Sequence, residues 1–174
     1  MGSSSKQKPW WLFCLQAALI AVAIYGALAW FEANHRFAFD AQQEVRCLPH
    51  FAYLIHRGDT NEVQRDEIYA FDSGTAGVPE IYLSRDRLTV KRVMGLPGDW
   101  VVVDDAGVWV NGELVGEGFY HAETLEKRPG DFADAYQLVE GEYLMMGDAP
   151  ESADGRYWGT VPEAALRGRA TPLF

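Results

Sequence analysis

The chain has 174 residues, enough for a short N-terminal segment and one domain with a hydrophobic core of its own. Hydrophobic residues make up 48% of the chain, which excludes disorder as the default interpretation. The formal net charge is −10, and all 25 acidic residues lie at or after Glu32. Such a surface repels phosphate backbones, so nucleic acid is not expected as a partner.

The first predicted element is a transmembrane anchor over residues 10–31, which are apolar apart from Gln16. A helix of this length spans roughly 33 Å, which matches the hydrocarbon core of a bilayer. Trp10 and Trp30 mark its two interfaces. A cleaved signal peptide is the alternative, since residues 27–29 read Ala-Leu-Ala, but the apolar run is longer than the usual signal core. The length therefore favours a retained anchor.

The flanking charges predict the orientation of this anchor. Lys6 and Lys8 precede it, whereas only Arg36 follows closely. The positive-inside rule then assigns residues 1–9 to a cytoplasmic tail and residues 32–174 to an extracytoplasmic domain.

The two cysteines are predicted to remain unpaired. Cys14 lies in the apolar segment and Cys47 in the exported domain, and no Cys-x-x-Cys motif occurs, which argues against a redox module. A single unpaired thiol in an oxidising compartment is either buried and inert or retained for its reactivity. The cysteines alone leave both alternatives open.

The exported part is predicted to be mainly β, because short runs rich in β-branched and aromatic residues alternate with Gly, Pro, Asn and Asp turns. The predicted strands cover residues 51–55, 65–71, 88–94, 100–103, 108–110 and 143–146, with a short strand or turn at 80–83 and a short turn or helix at 162–166. Residues 32–45 are predicted to form an extended or partly helical connector. The mixed, acidic residues 113–139 are predicted to form a surface excursion.

Lys91 is unusual in this pattern because it lies inside a β-branched run that ends at Gly95. A lysine in such a strand either points to solvent or is partly desolvated. Burial disfavours the charged form of a lysine, and a neutral lysine can act as a general base. The spacing alone favours the outward-pointing alternative without excluding the other.

Three blocks of the sequence resemble the type I signal peptidase family, the serine–lysine membrane proteases. Residues 91–99, Lys-Arg-Val-Met-Gly-Leu-Pro-Gly-Asp, are similar to the block that carries the family's general base. Residues 146–159 resemble the last block, with one residue lost between Asp148 and Ser152, and residues 65–71 resemble the block after the nucleophile. The resemblance covers most of the chain apart from 113–139, and it implies a signal-peptidase-like β domain behind a single N-terminal transmembrane helix.

The nucleophile block departs from the family, because Cys47 stands where the family has its serine. Pro49 follows two residues later and Tyr53 four residues beyond the proline, a spacing similar to the conjugative-transfer, TraF-type branch. No serine lies between Ser5 and Ser73. An unpaired thiol and a strand lysine thus occupy the two positions of the family's dyad.

The resemblance implies a role for each of five residues. Lys91 would take the proton of Cys47, and the thiolate would attack a peptide carbonyl to give a thioester acyl-enzyme. The backbone N–H of Cys47 would be an oxyanion donor. Ser152 would orient the lysine, and Asp154 and Arg156 would shape the site through ion pairing. No metal or other cofactor is needed.

Three substitutions depart from the family pattern. Val45 stands where a small hydroxyl residue often adds a second oxyanion donor, Ala149 replaces an asparagine and Gly155 replaces a serine. They are the argument for the alternative function, a catalytically inactive assembly subunit of a conjugation or secretion apparatus.

The resemblance also implies partners and a location. The substrate would be an exported precursor with small residues before the cut, bound in extended form beside a sheet edge. The TraF-type branch is associated with pilin precursors, and some members join the cut end to the substrate's own amino terminus, so cyclisation is permitted. The protein would lie in the bacterial inner membrane with its catalytic domain in the periplasm.

Membrane lipid is the second expected partner, because an exported domain tethered so closely can rest on the bilayer. Phe37, Phe39, Phe51 and Tyr53 are candidates for lipid contact, although core packing explains them equally well. The four histidines share no metal-ligand spacing, so a metal site is not expected.

Overall fold

The computed structural model describes residues 9–40, 46–84 and 87–174. The chain forms two compact units, residues 1–35 and residues 36–174. The helices are α1 (Trp10–Asn34) and α2 (Gly155–Trp158), with 3₁₀ turns at Pro129–Phe132 and Glu163–Ala165. The strands are β1 (His35–Phe39), β2 (Ala52–Arg57), β3 (Ile68–Asp72), β4 (Leu88–Gly95), β5 (Trp100–Asp104), β6 (Gly107–Val110), β7 (Glu113–Glu117), β8 (Asp134–Gln137), β9 (Glu142–Met146), β10 (Thr160–Pro162) and β11 (Leu166–Pro172).

Helix α1 is apolar on all sides and has no buried residue. Its 25 residues span roughly 37 Å, and it is the one helix in the described part of the chain that is long and apolar enough to cross a membrane. It continues beyond the predicted end at Phe31 as far as Asn34, whose side-chain amide donates to Trp30 O at 2.7 Å. Of the predicted cytoplasmic tail, residues 1–8 lie outside the described residues.

The second unit contains two antiparallel sheets, which confirms the mainly β prediction. The larger has seven strands in the order β1-β2-β11-β3-β4-β9-β10, and the smaller has four in the order β7-β6-β5-β8. Strand β9 connects their cores: Tyr143 and Met145 pack into one cluster, and Leu144 and Met146 into the other. Because successive strand residues point to opposite faces, the unbroken apolar run 143–146 is what a strand buried on both faces requires.

The prediction of a surface excursion at residues 113–139 does not hold in the structure. Strand β7 pairs with β6, and β8 pairs with β5, so this segment supplies both outer strands of the smaller sheet. Phe119 and Leu138 lie in its core at 8% and 1% exposure. The sequence did not predict these strands because β7 and β8 have no fully buried residue. They therefore lack the clear alternation of apolar and polar side chains by which a strand is recognised.

The predicted connector 32–45 is helical at its start and then extended, over the residues that the structure describes. Residues 32–34 complete α1, and residues 35–39 form β1 at the edge of the larger sheet. The Asp40 N–H donates to Phe51 O at 2.8 Å, which joins the end of β1 to the start of β2. Residues 41–45 lie outside the described residues.

The turn after β4 is organised by Asp99. Its carboxylate accepts hydrogen bonds from the Leu96 N–H at 2.6 Å, from the Arg65 guanidinium at 2.6 Å and from the Asn111 amide at 2.7 Å. Burial alone would raise the pKa of Asp99, but the hydrogen bonds from Leu96, Arg65 and Asn111 outweigh it and lower that pKa. The ionised carboxylate is therefore part of the folded structure.

We expect Asp99→Asn to lower the free energy of unfolding by about 1–3 kcal/mol at pH 7, because hydrogen bonds to a charged group are lost. Since the folded-state pKa is depressed, this stabilisation is present above the unfolded pKa of about 4 and is lost as the pH falls through the folded value. Urea unfolding of the solubilised protein at pH 7 and at about pH 3 should show the difference between wild type and variant shrinking in acid. Asp105→Asn, at an exposed position of the next turn, is the control, and an equal loss in it would contradict the assignment.

Candidate active site

Strand β4 places Lys91 in the interior. Its residues alternate strictly, with Thr89, Lys91 and Val93 on the buried face. Lys91 is 1% exposed, so the outward-pointing alternative is wrong for this lysine. Its Nζ donates to Ser152 Oγ at 2.7 Å, and Ser152 is itself fully buried. A buried ammonium or amine needs such a partner, and this one fixes the direction of the lysine side chain.

Cys47 lies in a turn that contacts the loop after β9, the loop that carries Ser152. The carbonyl oxygen of Cys47 accepts hydrogen bonds from the Asp148 N–H at 2.7 Å and the Ala149 N–H at 3.2 Å. The thiol is free and half-buried. Leu48 is buried and anchors the turn in a small apolar cluster with Tyr53. Cys47 is thus attached at its backbone to the loop that carries Ser152.

Tyr53 fixes the end of this turn. Its hydroxyl donates to His50 O at 2.9 Å. Burial, assisted by the nearby charge of Asp40, raises the pKa of Tyr53 to about 12. The phenol therefore stays protonated and keeps donating across the physiological pH range.

An ion pair connects the lysine strand to the cysteine turn. Arg92, next to Lys91, binds Asp148 through one edge of its guanidinium group, Nε to Oδ1 at 2.8 Å and Nη2 to Oδ2 at 2.7 Å. The backbone N–H of the same aspartate holds the Cys47 carbonyl. A bidentate pair of this kind fixes geometry more than a single contact does.

Cys47 and Lys91 line one cleft of about 80 Å³. We call it the Cys47–Lys91 cleft; its lining is Ala38, Phe39, Asp40, Cys47, Leu48, Tyr53, Leu83, Arg87, Leu88, Thr89, Val90 and Lys91. Cys47 and Lys91, which are far apart in sequence, therefore line one small cavity.

Gly147 lies where these parts meet. A Cβ at this position would lie 2.1 Å from Ser152 Oγ, 2.5 Å from Ser152 Cβ and 2.9 Å from the carbonyl oxygen of Cys47. No side chain fits there unless the serine and the cysteine turn move apart.

We expect Gly147→Ala to lower the free energy of unfolding by about 1–3 kcal/mol, because an added methyl group in a packed site forces its neighbours to move. Gly26→Ala, in α1, is the control for a glycine-to-alanine change, since a Cβ there meets nothing within 4 Å. Thermal unfolding of both variants checks the expectation. An unchanged Tm in Gly147→Ala would contradict it.

Asp154 and Arg156 form a buried ion pair next to Gly147. The exposed fractions of the two side chains are 0% and 1%, and Arg156 Nε lies 2.8 Å from Asp154 Oδ1. Asp154 also accepts from the Gly147 N–H at 3.0 Å. The remaining guanidinium nitrogen of Arg156 donates to the backbone carbonyls of Glu117, Gly118 and Pro150. The pair therefore connects the glycine beside Cys47 to the smaller sheet.

Two of the three positions that depart from the family pattern, Ala149 and Gly155, lie in the described residues. Ala149 still supplies its N–H to Cys47 O. Gly155 leaves little room for a side chain, since a Cβ would lie 2.7 Å from Leu144 Cδ1 and 3.0 Å from Met145 O. Val45 lies outside the described residues.

Sequence reasoning missed three residues of this arrangement: Arg92, Gly147 and Asp148. All three lie inside the blocks that resemble the family, but nothing in the sequence pairs Arg92 with Asp148 or shows that Gly147 lies against Cys47. In the described ranges, no group of three or more His, Cys, Asp or Glu side chains is arranged as metal ligands would be.

The model of the family described as "Signal peptidase, peptidase S26" matches residues 9–174. The chain belongs to the signal peptidase S26 family. The S26 match includes α1 and every strand of the β domain.

Individual relatives are similar over shorter stretches. A probable signal peptidase I-2 of Synechocystis is 38% identical over 86 residues, 49% of this chain and 37% of that protein. A signal peptidase I of Leptolyngbya laminosa is 30% identical over 116 residues, 66% of this chain and 54% of that protein. A plasmid transfer protein TraF of Escherichia coli is 37% identical over 84 residues, 44% of this chain and 45% of that protein. The chain thus spans about half the length of the curated relatives it matches, or less.

Among solved structures, a crystal structure of a signal peptidase I from Enterococcus faecalis is 27% identical. The match covers 64% of this chain and 98% of that one, with a TM-score of 0.40.

Proposed function

We propose that this S26 family member is a membrane-anchored peptidase that cleaves exported precursors with Cys47 as nucleophile and Lys91 as general base. One observation carries the proposal: Lys91, 1% exposed and held by Ser152, lines the same small cleft as Cys47, whose thiol is free. Asp154 and Arg156 support the site from behind. Membership of the family supports the reaction type.

The reaction proceeds in two halves. Lys91 acts as the base that takes the S–H proton while sulfur attacks the scissile carbonyl carbon, and the Cys47 N–H stabilises the oxyanion. The C–N bond then breaks, the lysine returns the proton to the departing amine, and a thioester remains on Cys47. Water, deprotonated by Lys91, attacks the thioester, which releases the acid and restores the thiol.

The backbone of β4 offers an edge for the substrate. Arg87 O and the N–H and C=O of Val93 bond towards the β3 side. Because bonding directions alternate along a strand, Leu88 and Val90 direct their N–H and C=O groups to the other edge. Strand β9 pairs with β4 only from Arg92 onwards, so it does not cover that edge. A precursor can lie there in extended form, and the small volume of the cleft favours small residues before the cut.

Helix α1 and an exposed aromatic patch support a position at the bilayer. The rings of Phe39 and Phe51 are 6.3 Å apart and those of Phe51 and Phe174 6.2 Å, and their side chains are 66%, 39% and 76% exposed. Phe37 is 49% exposed, whereas Tyr53 is buried, so core packing explains only the tyrosine. Exposed apolar groups in a row are typical of lipid-contacting surfaces. We propose a single-pass protein of the inner membrane with residues 36–174 in the periplasm.

The TraF-type branch is the proposed placement within the family. The Cys-x-Pro spacing at 47–49 and the 37% identity to a plasmid transfer protein support it. A thioester reacts with amines as well as water, so pilin processing with ring closure is compatible with this site.

Co-expression with candidate exported precursors tests the proposal. Wild type should yield a shortened product, Cys47→Ala should leave the precursor intact, and Cys47→Ser should process slowly, since a hydroxyl needs more activation than a thiol. Intact mass separates hydrolysis from cyclisation, because a ring is one water lighter. Cys14→Ala, which removes the free thiol of α1, is the control and should process normally. Normal processing by Cys47→Ala would contradict the proposal.

A further inference from the structure

A second cavity opens beside the Cys47–Lys91 cleft. It has a volume of about 350 Å³ and shares Leu88 with the cleft. We call it the arginine pocket; its lining is Arg36, Ile55, Arg57, Asp72, Leu88 and Arg167. Three arginines and one aspartate line it, in a chain whose formal net charge is −10. Such a local reversal of sign attracts anions.

The charges of this pocket are only partly neutralised from within. The single aspartate, Asp72, accepts hydrogen bonds from the N–H and hydroxyl of Thr75 at 2.7 and 2.8 Å. Its contact with Arg167 is long, at 3.9 Å. The salt bridges of the described residues involve neither Arg36 nor Arg57, and both are exposed. Two guanidinium groups are therefore available to a ligand.

Three strands run from the cleft to the arginine pocket. Strand β1 carries Ala38 in the cleft and Arg36 in the pocket, and Asp40, the residue after the strand, also lines the cleft. At roughly 3.3 Å per residue, Ala38 and Arg36 are about 7 Å apart along the strand, and Asp40 and Arg36 about 13 Å. An extended peptide covers the same distance with two to four residues.

The other two strands show the same order. On β2, Tyr53 lines the cleft and Arg57 lines the pocket. On β4, Lys91 lines the cleft and Leu88 lines both. A strand bound at the open edge of β4 would thus pass from the dyad to the arginines.

We propose that the arginine pocket is a substrate subsite that binds a carboxylate, an Asp or Glu side chain or a terminal carboxylate, two to four residues from the one held at Cys47. This rests on the proposed peptidase function and adds a specificity to it. Arg36 and Arg57 supply the charge, and Arg167, held by the carbonyls of Ala164 and Leu166, fixes the floor of the pocket.

Quenched peptides test this subsite on the full-length protein in detergent. Each peptide carries alanines before the scissile bond and one Asp or Glu at a single position, between two and six residues from that bond on either side. A matched peptide carries Asn or Gln at the same position. We expect the acid to raise kcat/KM about ten- to a hundredfold over the amide at one position, or at two positions that lie two residues apart and so point to the same side of an extended peptide. In Arg36→Gln/Arg57→Gln this preference should vanish, while cleavage of the all-amide peptides stays unchanged. Arg128→Gln, whose side chain is 88% exposed, is the control.

Two outcomes would overturn the subsite. One is cleavage with no preference for the acid at any position, and the other is a preference that the double variant retains. A third measurement distinguishes a peptide subsite from a lipid site. If the double variant loses affinity for phosphatidylglycerol vesicles but keeps the peptide preference, the pocket binds lipid headgroups and the subsite is overturned.

Binding separates the failure of this inference from the failure of the peptidase function. Fluorescence anisotropy with Cys47→Ala reports peptide affinity without turnover. If wild type cleaves no peptide, but acidic peptides bind about tenfold more tightly than their amides and lose that advantage in the double variant, the subsite stands and the peptidase function fails. If cleavage occurs and acidic and amide peptides bind equally, only the subsite fails.

Discussion

Lys91→Met should lower kcat/KM for precursor cleavage by about 10²- to 10⁴-fold, the range that a positioned general base contributes. Methionine is close to lysine in volume and apolar, so it fits a position that is 1% exposed. The amine that would deprotonate Cys47 is lost, and only the intrinsic nucleophilicity of the thiol remains. Ser152 loses its partner, which we expect to cost little because its hydroxyl also reaches Ala153 O at 3.4 Å.

The control for this prediction is Lys127→Met, at the other lysine of the β domain, whose Nζ lies 4.8 Å from the centre of the Phe132 ring. It should process normally. Processing by Lys91→Met at the wild-type rate, in a protein with unchanged thermal unfolding, would remove the lysine from the mechanism.

Breaking the ion pair between Asp154 and Arg156 should have the largest effect on stability. Removing one partner of a buried, hydrogen-bonded pair leaves an uncompensated charge and costs about 3–5 kcal/mol. For a chain of this size we expect Arg156→Met to lower Tm by about 10 °C. Processing should fall as well, because Asp154 also holds the Gly147 N–H beside Cys47.

The double variant Asp154→Asn/Arg156→Met should lose less stability than the sum of the two single variants, since neither charge is then left alone. Arg128→Met, in an exposed pair with Asp131, should change Tm by no more than about 2 °C. Thermal unfolding in detergent measures all four. Additive losses, or a loss in Arg156→Met as small as in Arg128→Met, would contradict a structural role for the pair.

Residue patterns were sufficient to predict the long apolar helix and strands β2, β3, β4 and β9 of the larger sheet. The family resemblance, and not the patterns, singled out Cys47 and Lys91 as a pair of site residues, which line one cleft. The patterns were not sufficient to orient Lys91, because the opposite face of β4 is itself half-buried, and a one-sided polar pattern never appears. The arginine pocket could not be predicted from the sequence for a different reason. Arg36, Arg57 and Arg167 belong to three strands that are separated in sequence and come together only in the folded domain.

The assignment of Cys47 as nucleophile depends on one covalent intermediate, which intact mass spectrometry can detect after an acid quench with excess peptide. The proposed mechanism predicts an adduct on the full-length protein equal to the N-terminal peptide fragment less one water. It should map to Cys47 and be released by neutral hydroxylamine, as a thioester is. Efficient cleavage without any such adduct, together with cleavage by Cys47→Ala, would contradict thiol catalysis.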